Sequence, residues 1–351
     1  HMGQAGKAIE TIKNSLKITE QTYGKEDVRF AKVALRLDSP YRLFSDSLSA
    51  FKYGNMGYQI LKKHHGEDHI DTAYAAVKLG HIHKNLGEFE KALELLKKGS
   101  SVLEKTYGPR HIRTAWSYIR LGNLYEVLGY YERANELLQK SYDIYSKHYG
   151  NHHSCTAWVL AYLGEISDKL GNHEEAKTYL EASFAIYKKI YNEKHIKSSW
   201  VLRYLGNTYK HLGDVEKAEN LLTQALKVYL AEDGNIFDVT KLHIKLGLCL
   251  IESHKFEQAE QHLLASEAIL KNEKHYTYYR PLEALSDLYK KKSEIALKNG
   301  DKIESYKFYN KSIKYLEDAL TCSQDRFPSG TPVIQEIEVK LEKLKLDLRK
   351  A

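Results

Sequence analysis

The stretch TAWSYIRLGNLYEVLGYYERA, residues 114–134, decides the fold. It contains Trp116, one of three tryptophans in a chain of 351 residues. The other two, Trp158 and Trp200, follow at successive intervals of 42 residues. A fixed interval of this length indicates a repeat architecture, which has to be recognised before single elements are assigned.

Other residue types recur at the same interval of 42 residues. Two Leu-Gly pairs and one alanine return in successive units, so the interval is a property of the whole segment and not of the tryptophans alone. The members are Leu79-Gly80, Leu121-Gly122, Leu163-Gly164 and Leu205-Gly206; Leu86-Gly87, Leu128-Gly129, Leu170-Gly171 and Leu212-Gly213; and Ala50, Ala92, Ala134, Ala176 and Ala218.

Each unit predicts two helices. Thr114 is expected to cap the first one, since a hydroxyl at an N-cap accepts hydrogen bonds from unpaired backbone amides. Leu121 and Tyr125 share one face of that helix, and Gly129 can end it because glycine adopts a positive φ at low cost. Ala134 begins the apolar face of the second helix. One hairpin cannot bury its own face, so stacked hairpins forming a solenoid are expected.

These residues resemble the tetratricopeptide repeat, in which a large residue, a Leu-Gly pair, a tyrosine and an alanine follow in order. Tyr118, Leu121-Gly122, Tyr125 and Ala134 hold those places here. The 42-residue length and the Tyr-Gly-x-x-His connector are similar to the longer, kinesin-light-chain-like repeats. The resemblance implies an all-α fold, a right-handed α-α superhelix of about seven hairpins with a C-terminal capping helix. It says little about function, because such repeats serve many partners.

The repeat register assigns the whole chain. Its first residues correspond to the second helix of a repeat, so we expect a fragment of a longer protein. The last hairpin carries extra residues, and a final amphipathic helix is expected to cap the array. The assigned units are the second helix of a truncated repeat at 3–22, a degenerate repeat at 27–64, repeats at 69–106, 111–148, 153–190, 195–232 and 236–272, an enlarged hairpin at 276–321 and the capping helix at 331–350.

Composition excludes several classes of protein. The net charge of +7 is modest for this length, which gives a weak case for nucleic acid. No apolar stretch is long enough for a membrane span. Three scattered cysteines form no metal or redox motif, which favours a reducing compartment and a cytoplasmic location. No nucleophile elbow, phosphate loop or HExxH occurs, so we expect no catalysis, cofactor or metal.

Histidines recur in the connectors between repeats. Because the interval spreads them along the array, structural hydrogen bonding is a better interpretation than a zinc site. The four residues are His69, His111, His153 and His195.

The family resemblance implies that the first helix of each repeat lines a concave groove. With Leu121 numbered as position seven, the family places positions two, five, nine and twelve in that groove. Position two is aromatic in four repeats, and a ladder of rings over roughly 30 Å would result. Packing of the rings against the neighbouring repeat is the alternative. The candidate partner-binding residues are Tyr74, Lys78, His81, Trp116, Arg120, Asn123, Trp158, Tyr162, Glu165, Trp200, Arg203, Asn207, Lys241 and Lys245.

Charged residues are expected to vary along this groove. It is basic at both ends, and Glu126, Glu165 and Asp168 make its middle acidic. A set near one end, Arg203, Asn207, Lys241 and Lys245, partly matches the carboxylate clamp of the family; a solvated polar face is the alternative. The paired asparagines of kinesin light chains are missing, so the cargo motif of those proteins is not transferred.

The leading hypothesis for function is a scaffold that binds a peptide or a partner protein in the groove. Two alternatives remain open: the sensor arm of a multidomain switch with a nucleotide-binding domain upstream, and the targeting module of an enzyme whose catalytic domain is absent. Nucleic-acid binding is disfavoured by the acidic middle of the groove, and no membrane insertion is expected.

Overall fold

The computed structural model describes residues 2–43, 46–232 and 234–350, and within these ranges it contains helices and no strand. The α-helices are α1 (Met2–Tyr23), α2 (Val28–Ala34), α3 (Asp38–Leu43), α4 (Ser47–His65), α5 (Ile70–Leu86), α6 (Phe89–Tyr107), α7 (Ile112–Val127), α8 (Tyr131–Tyr149), α9 (Ser154–Lys169), α10 (His173–Tyr191), α11 (Ile196–His211), α12 (Val215–Ala231), α13 (Ile236–Glu252), α14 (Phe256–Asn272), α15 (Tyr279–Lys298), α16 (Lys302–Gln324) and α17 (Pro332–Lys350).

The chain divides into two compact units, residues 1–198 with 230–235 and residues 199–229 with 236–351. In the first unit, α5 packs on α6, α7 on α8 and α9 on α10, and α6 also packs on α7 and α8 on α9. In the second unit, α13 packs on α14, α15 on α16 and α16 on α17. The all-α class and the succession of packed hairpins that the repeats predict are therefore confirmed.

Small residues set how closely the two helices of a hairpin approach. A methyl group placed on Gly164 would lie 2.5 Å from Cγ of Leu180 and 3.1 Å from the carbonyl oxygen of Ala176. At Gly122 the nearest atoms would be 3.4 Å away, which is an ordinary contact. The two helices therefore approach less closely at Gly122 than at the equivalent Gly164 of the next repeat.

The first helix of the degenerate repeat is broken. It consists of α2, a 3₁₀ turn (Leu35–Leu37) and α3. Pro40 accounts for the break, because proline lacks the amide that would bond to the carbonyl oxygen of Arg36 and continue the α-helical ladder.

The connector histidines, and not the threonine, cap the first helices. Nδ1 of His111 accepts from the amide of Arg113 at 3.2 Å, whereas the hydroxyl of Thr114 donates to the carbonyl oxygen of Gly108 at 2.9 Å. The N-cap predicted at Thr114 is therefore wrong. Its hydroxyl bonds to the preceding connector instead, since α7 begins three residues earlier than expected.

The same cap occurs at the other connectors. His69, His153 and His195 accept from the amides of Asp71, Cys155 and Lys197, each at 3.1 Å. This confirms that these histidines make structural hydrogen bonds.

The final helix packs on the last hairpin. α17 buries Ile337, Leu341 and Leu344, and the hydroxyl of Tyr309 on α16 donates to the carbonyl oxygen of Leu344 at 3.1 Å. Leu346 of the same helix is 49% exposed. It is therefore not part of the buried contact.

Candidate binding surface

Five side chains of the first unit form an aromatic ladder across three successive first helices. Tyr74 comes from α5, Trp116 and Arg120 from α7, and Trp158 and Tyr162 from α9. On α7 and α9 the two members stand four residues apart, so that they lie one above the other on one helical face. The helices bring them together because α5 contacts α7, and α7 contacts α9.

Each member of the ladder contacts the next one, either between two rings or between a ring and a guanidinium group. Tyr74 stacks on Trp116 with 4.8 Å between ring centroids and an interplanar angle of 28°. The guanidinium of Arg120 lies 5.7 Å from the Trp116 centroid and 5.1 Å from the Trp158 centroid. Trp158 meets Tyr162 edge-on at 5.7 Å. Both arginine contacts lie within the range of a cation–π interaction.

All five members of the ladder are half-buried. Burial raises the pKa of Tyr74 above its ordinary value, so that its phenol stays neutral and can donate a hydrogen bond. The side chains thus combine both interpretations of the sequence: they pack against the next repeat, and they keep part of their surface in solvent.

One position of the first helix that the family resemblance places in the groove is buried in this structure. Position five, expected in the groove, is occupied by fully covered Val77, Ile119 and Ala161, each at 0% exposure. Position six instead carries Arg120 and Tyr162 of the ladder. The helices are therefore rotated so that position five packs into the core and position six lies on the half-exposed face.

Several polar candidates already bridge neighbouring helices. Nζ of Lys84 donates to Oδ1 of Asn123 at 2.7 Å, and Nζ of Lys78 donates to the carbonyl oxygen of Leu35 at 3.0 Å. Glu126 and Lys169 form an ion pair of 3.5 Å. These contacts link repeats to each other.

The remaining polar candidates of the first unit differ in their exposure. His81 is buried and Glu165 is half-buried. Asp168, part of the expected acidic middle, is also buried, and one of its carboxylate oxygens lies 2.8 Å from Nδ1 of His173.

In the second unit, the carboxylate of Asp238 pairs with two of the residues that were expected to form a carboxylate clamp. Arg203 is 2% exposed, and its Nη1 lies 3.6 Å from Oδ1 of Asp238. Nζ of Lys241 lies 3.1 Å from the same oxygen. Asn207 and Lys245 are half-buried. Two of the four clamp candidates thus hold a carboxylate of the chain itself.

Trp200 is the position-two ring of the second unit. It is half-buried and meets Tyr204 edge-on at 5.3 Å. It remains a candidate contact residue, as do Asn207 and Lys245.

The family model of the tetratricopeptide repeat matches residues 71–147, 121–188 and 153–231 in overlapping segments. Residues 71–231 are tetratricopeptide repeats. The described first helices α5, α7, α9 and α11 begin at residues 70, 112, 154 and 196, which is the longer repeat length that the sequence indicates. No curated protein sequence matches the chain.

Solved structures of other repeat proteins share the fold. The Rap conjugation gene regulator of plasmid pLS20, in complex with the Phr* peptide, has 14% identity and a TM-score of 0.58, with 86% of this chain and 78% of that chain covered. The apo form of RapI has 15% identity and a TM-score of 0.56, covering 83% and 98%. BtubC (BKLC) from P. vanneervenii has 17% identity and a TM-score of 0.50, covering 67% and 91%.

None of the described helices combines the length and apolar composition that a membrane crossing requires. Burial raises the pKa of Cys155, and it raises that of Cys249 to about 11. Both side chains therefore stay as thiols at neutral pH, which makes them weak nucleophiles.

The structure brings His65, His69 and Asp71 together, which sequence reasoning missed. One possible ligand atom from each lies within 4.8 Å of the others. Two contacts disfavour a cation here: Nδ1 of His69 caps α5, and Asp71 pairs with Lys32 at 2.7 Å. The N-terminus of a helix also repels positive charge. Other connectors carry a tyrosine at the place of His65, and this difference is the feature of the sequence from which the cluster could have been predicted.

Proposed function

We propose that this protein is an interaction scaffold whose aromatic ladder binds an extended peptide segment of a partner protein. The observation that carries the proposal is the ladder itself: half-buried tryptophan, tyrosine and arginine side chains from three successive repeats. These three residue types dominate the binding energy of protein interfaces. Their packing within the ladder holds them in place before binding, which reduces the entropy lost when a partner arrives.

The geometry of the ladder favours an extended partner. Equivalent helices of neighbouring repeats pack about 10 Å apart. A chain in the polyproline II conformation rises about 3.1 Å per residue and has three residues per turn. Every third side chain therefore points in the same direction and advances by about the spacing between neighbouring helices, so it would contact the ladder residues of the next repeat. A β-strand fits less well, because side chains three apart point to opposite faces. Aromatic-lined surfaces are the usual receptors for polyproline II segments.

Two further points support a peptide ligand. The Rap regulator of pLS20 shares this fold and was solved with a peptide bound. Tetratricopeptide repeats are typically non-catalytic, consistent with a binding role. Arg120 would supply the polar contact, since a guanidinium over an aromatic ring still has N–H groups that can donate to peptide carbonyl oxygens.

The test is selection of peptides from a random display library, followed by fluorescence anisotropy with the enriched peptides. We expect enriched sequences with aromatic or proline residues three apart, and at least about tenfold weaker binding to Arg120→Ala, which is about 1.4 kcal/mol.

The matched control is Arg133→Ala. Arg133 lies over Tyr130 at 5.4 Å on the second helix α8, so it makes a cation–π contact away from the ladder. Equal loss of binding in both variants, or enriched peptides that bind Arg120→Ala as well as wild type, would refute the proposal. Binding to oligonucleotides with a steep dependence on salt would favour nucleic acid instead.

A further inference from the structure

In one hairpin of the second unit, two histidine rings contact each other through their Nδ1 atoms. Nδ1 of His243 on α13 lies 2.8 Å from Nδ1 of His262 on α14, and the ring centroids are 5.0 Å apart. With these two distances, the nitrogens lie close to the line that joins the rings. The two lone-pair directions therefore point at each other instead of converging on a common ion, and the contact is a hydrogen bond between the rings.

A hydrogen bond between two Nδ1 atoms restricts how many protons the pair can hold. With both rings neutral, one Nδ1 donates and the other accepts. A single added proton can go to Nε2 of the donor ring, where the bond between the Nδ1 atoms is kept. The accepting ring already carries its hydrogen on Nε2, so a proton added to that ring would take the Nδ1 lone pair that accepts the bond. With both rings charged, each Nδ1 carries a hydrogen and the bond is replaced by repulsion between two cations.

The surroundings offer no compensation for charge on the pair. Burial, and then the nearby His262, lowers the pKa of His243 to about 4, and burial lowers the pKa of His262. No carboxylate contributes to either shift among the described residues.

Charged and titratable groups on the neighbouring elements have other partners. On α14, Glu260 accepts from Lys292 of α15 at 2.8 Å and also from Tyr289. Glu267 accepts from Tyr278, in the turn before α15, at 3.0 Å. On α13, Lys241 pairs with Asp238 at 3.1 Å.

We propose that the His243–His262 pair makes the α13–α14 hairpin an acid-sensitive joint of the repeat array. The hairpin is closed while the pair holds at most one added proton, and it opens when both rings become charged. A joint of this kind would change the surface of the second unit as pH falls, without any change in the first unit.

The direction of the effect follows from linkage. In the open hairpin a histidine has a pKa near 6.5, whereas the closed hairpin holds it lower. The open form therefore binds more protons, and the stability of the closed form is fully present above about pH 6.5. It falls as pH drops from there toward 4, by up to about tenfold in the closing equilibrium per pH unit for each proton taken up.

The test is amide hydrogen exchange of the full chain at pH 7.5 and pH 5, corrected for the intrinsic rate and read by mass spectrometry. Peptides from 236–272 report the hairpin, and peptides from 112–191 serve as the reference. We expect protection of the hairpin to fall about tenfold more than that of the reference. His262→Asn keeps a hydrogen-bonding group but cannot titrate, so one titrating ring is left instead of two, and the difference should become smaller than in the wild type.

His254→Asn is the matched control. It removes an exposed histidine of the same hairpin, and its positive φ of 59° suits asparagine, so the wild-type response should persist. A uniform loss of protection, or the same loss in His262→Asn, would overturn the proposal. Titration of the histidine ring protons by NMR is independent of that variant: if both rings of the wild-type pair become charged near pH 6.5 while the hairpin stays protected, the joint does not exist.

Discussion

Arg203 stands at position five of α11, where α5, α7 and α9 carry aliphatic residues. Its guanidinium is almost fully covered, donates to the hydroxyl of Tyr204 at 2.9 Å, and faces Asp238. A buried cation is stable only when opposite charge and hydrogen-bond acceptors surround it. Asp238 is therefore expected to have a structural role, although it is itself partly exposed.

Replacing Asp238 with asparagine tests this role. The isosteric amide keeps the shape but removes the negative charge beside Arg203 and Lys241, and we expect the free energy of unfolding to fall by about 1–3 kcal/mol. Denaturation in guanidinium chloride measures it. Asp143→Asn, at an exposed position of α8, is the control and should change stability by less than about 0.5 kcal/mol. Equal values for the two variants would show that Arg203 does not depend on Asp238.

The sequence predicts the rings at position two, because an interval of 42 residues is visible without any structure. It does not distinguish position five from position six. Both lie near the edge of one helical face, and which of them is buried depends on the rotation of the helix against its neighbours. Arg120 and Tyr162 are therefore correctly among the groove candidates, whereas the burial of Arg203 is not predicted.

At the level of the helices, the histidine of each connector caps the helix that follows it. A histidine cap is not predicted from standard preferences, which favour serine, threonine, aspartate and asparagine. The imidazole takes this role because a preceding aromatic ring supports it: Tyr107 stacks on His111 at 4.3 Å, and Tyr149 on His153 at 4.5 Å. The Tyr-Gly-x-x-His pattern of the sequence is thus a capping motif.

Two glycines give a paired prediction for helix packing. Gly164→Ala places its methyl group against the buried Leu180 and should cost about 1–3 kcal/mol of stability through overpacking. Gly122→Ala meets only ordinary contacts, so it should be neutral or stabilise by up to about 1 kcal/mol, since alanine favours helix over glycine. Thermal unfolding of both variants measures the difference. Similar melting temperatures would show that the two hairpins approach equally closely.

At the scale of the whole molecule, α17 packs on α16 and is expected to cap the second unit. Removal of residues 331–351 would uncover the surface against which Ile337, Leu341 and Leu344 pack. We expect a lower melting temperature and concentration-dependent association, because terminal repeats need a cap with a polar outer face. Light scattering with unfolding curves checks both. A truncated chain that stays monomeric with an unchanged melting temperature would contradict the capping role.

The central claim is that the aromatic ladder is a binding surface and not only packing between repeats. Trp158→Ala separates the two when stability and affinity for a selected peptide are measured on the same protein. The account predicts that the dissociation constant rises about thirtyfold or more, near 2 kcal/mol, while the free energy of unfolding falls by only about 1 kcal/mol, since the ring is half-buried. A fall in unfolding free energy of about 3–5 kcal/mol, with unchanged affinity in the folded fraction, would show a packing role alone.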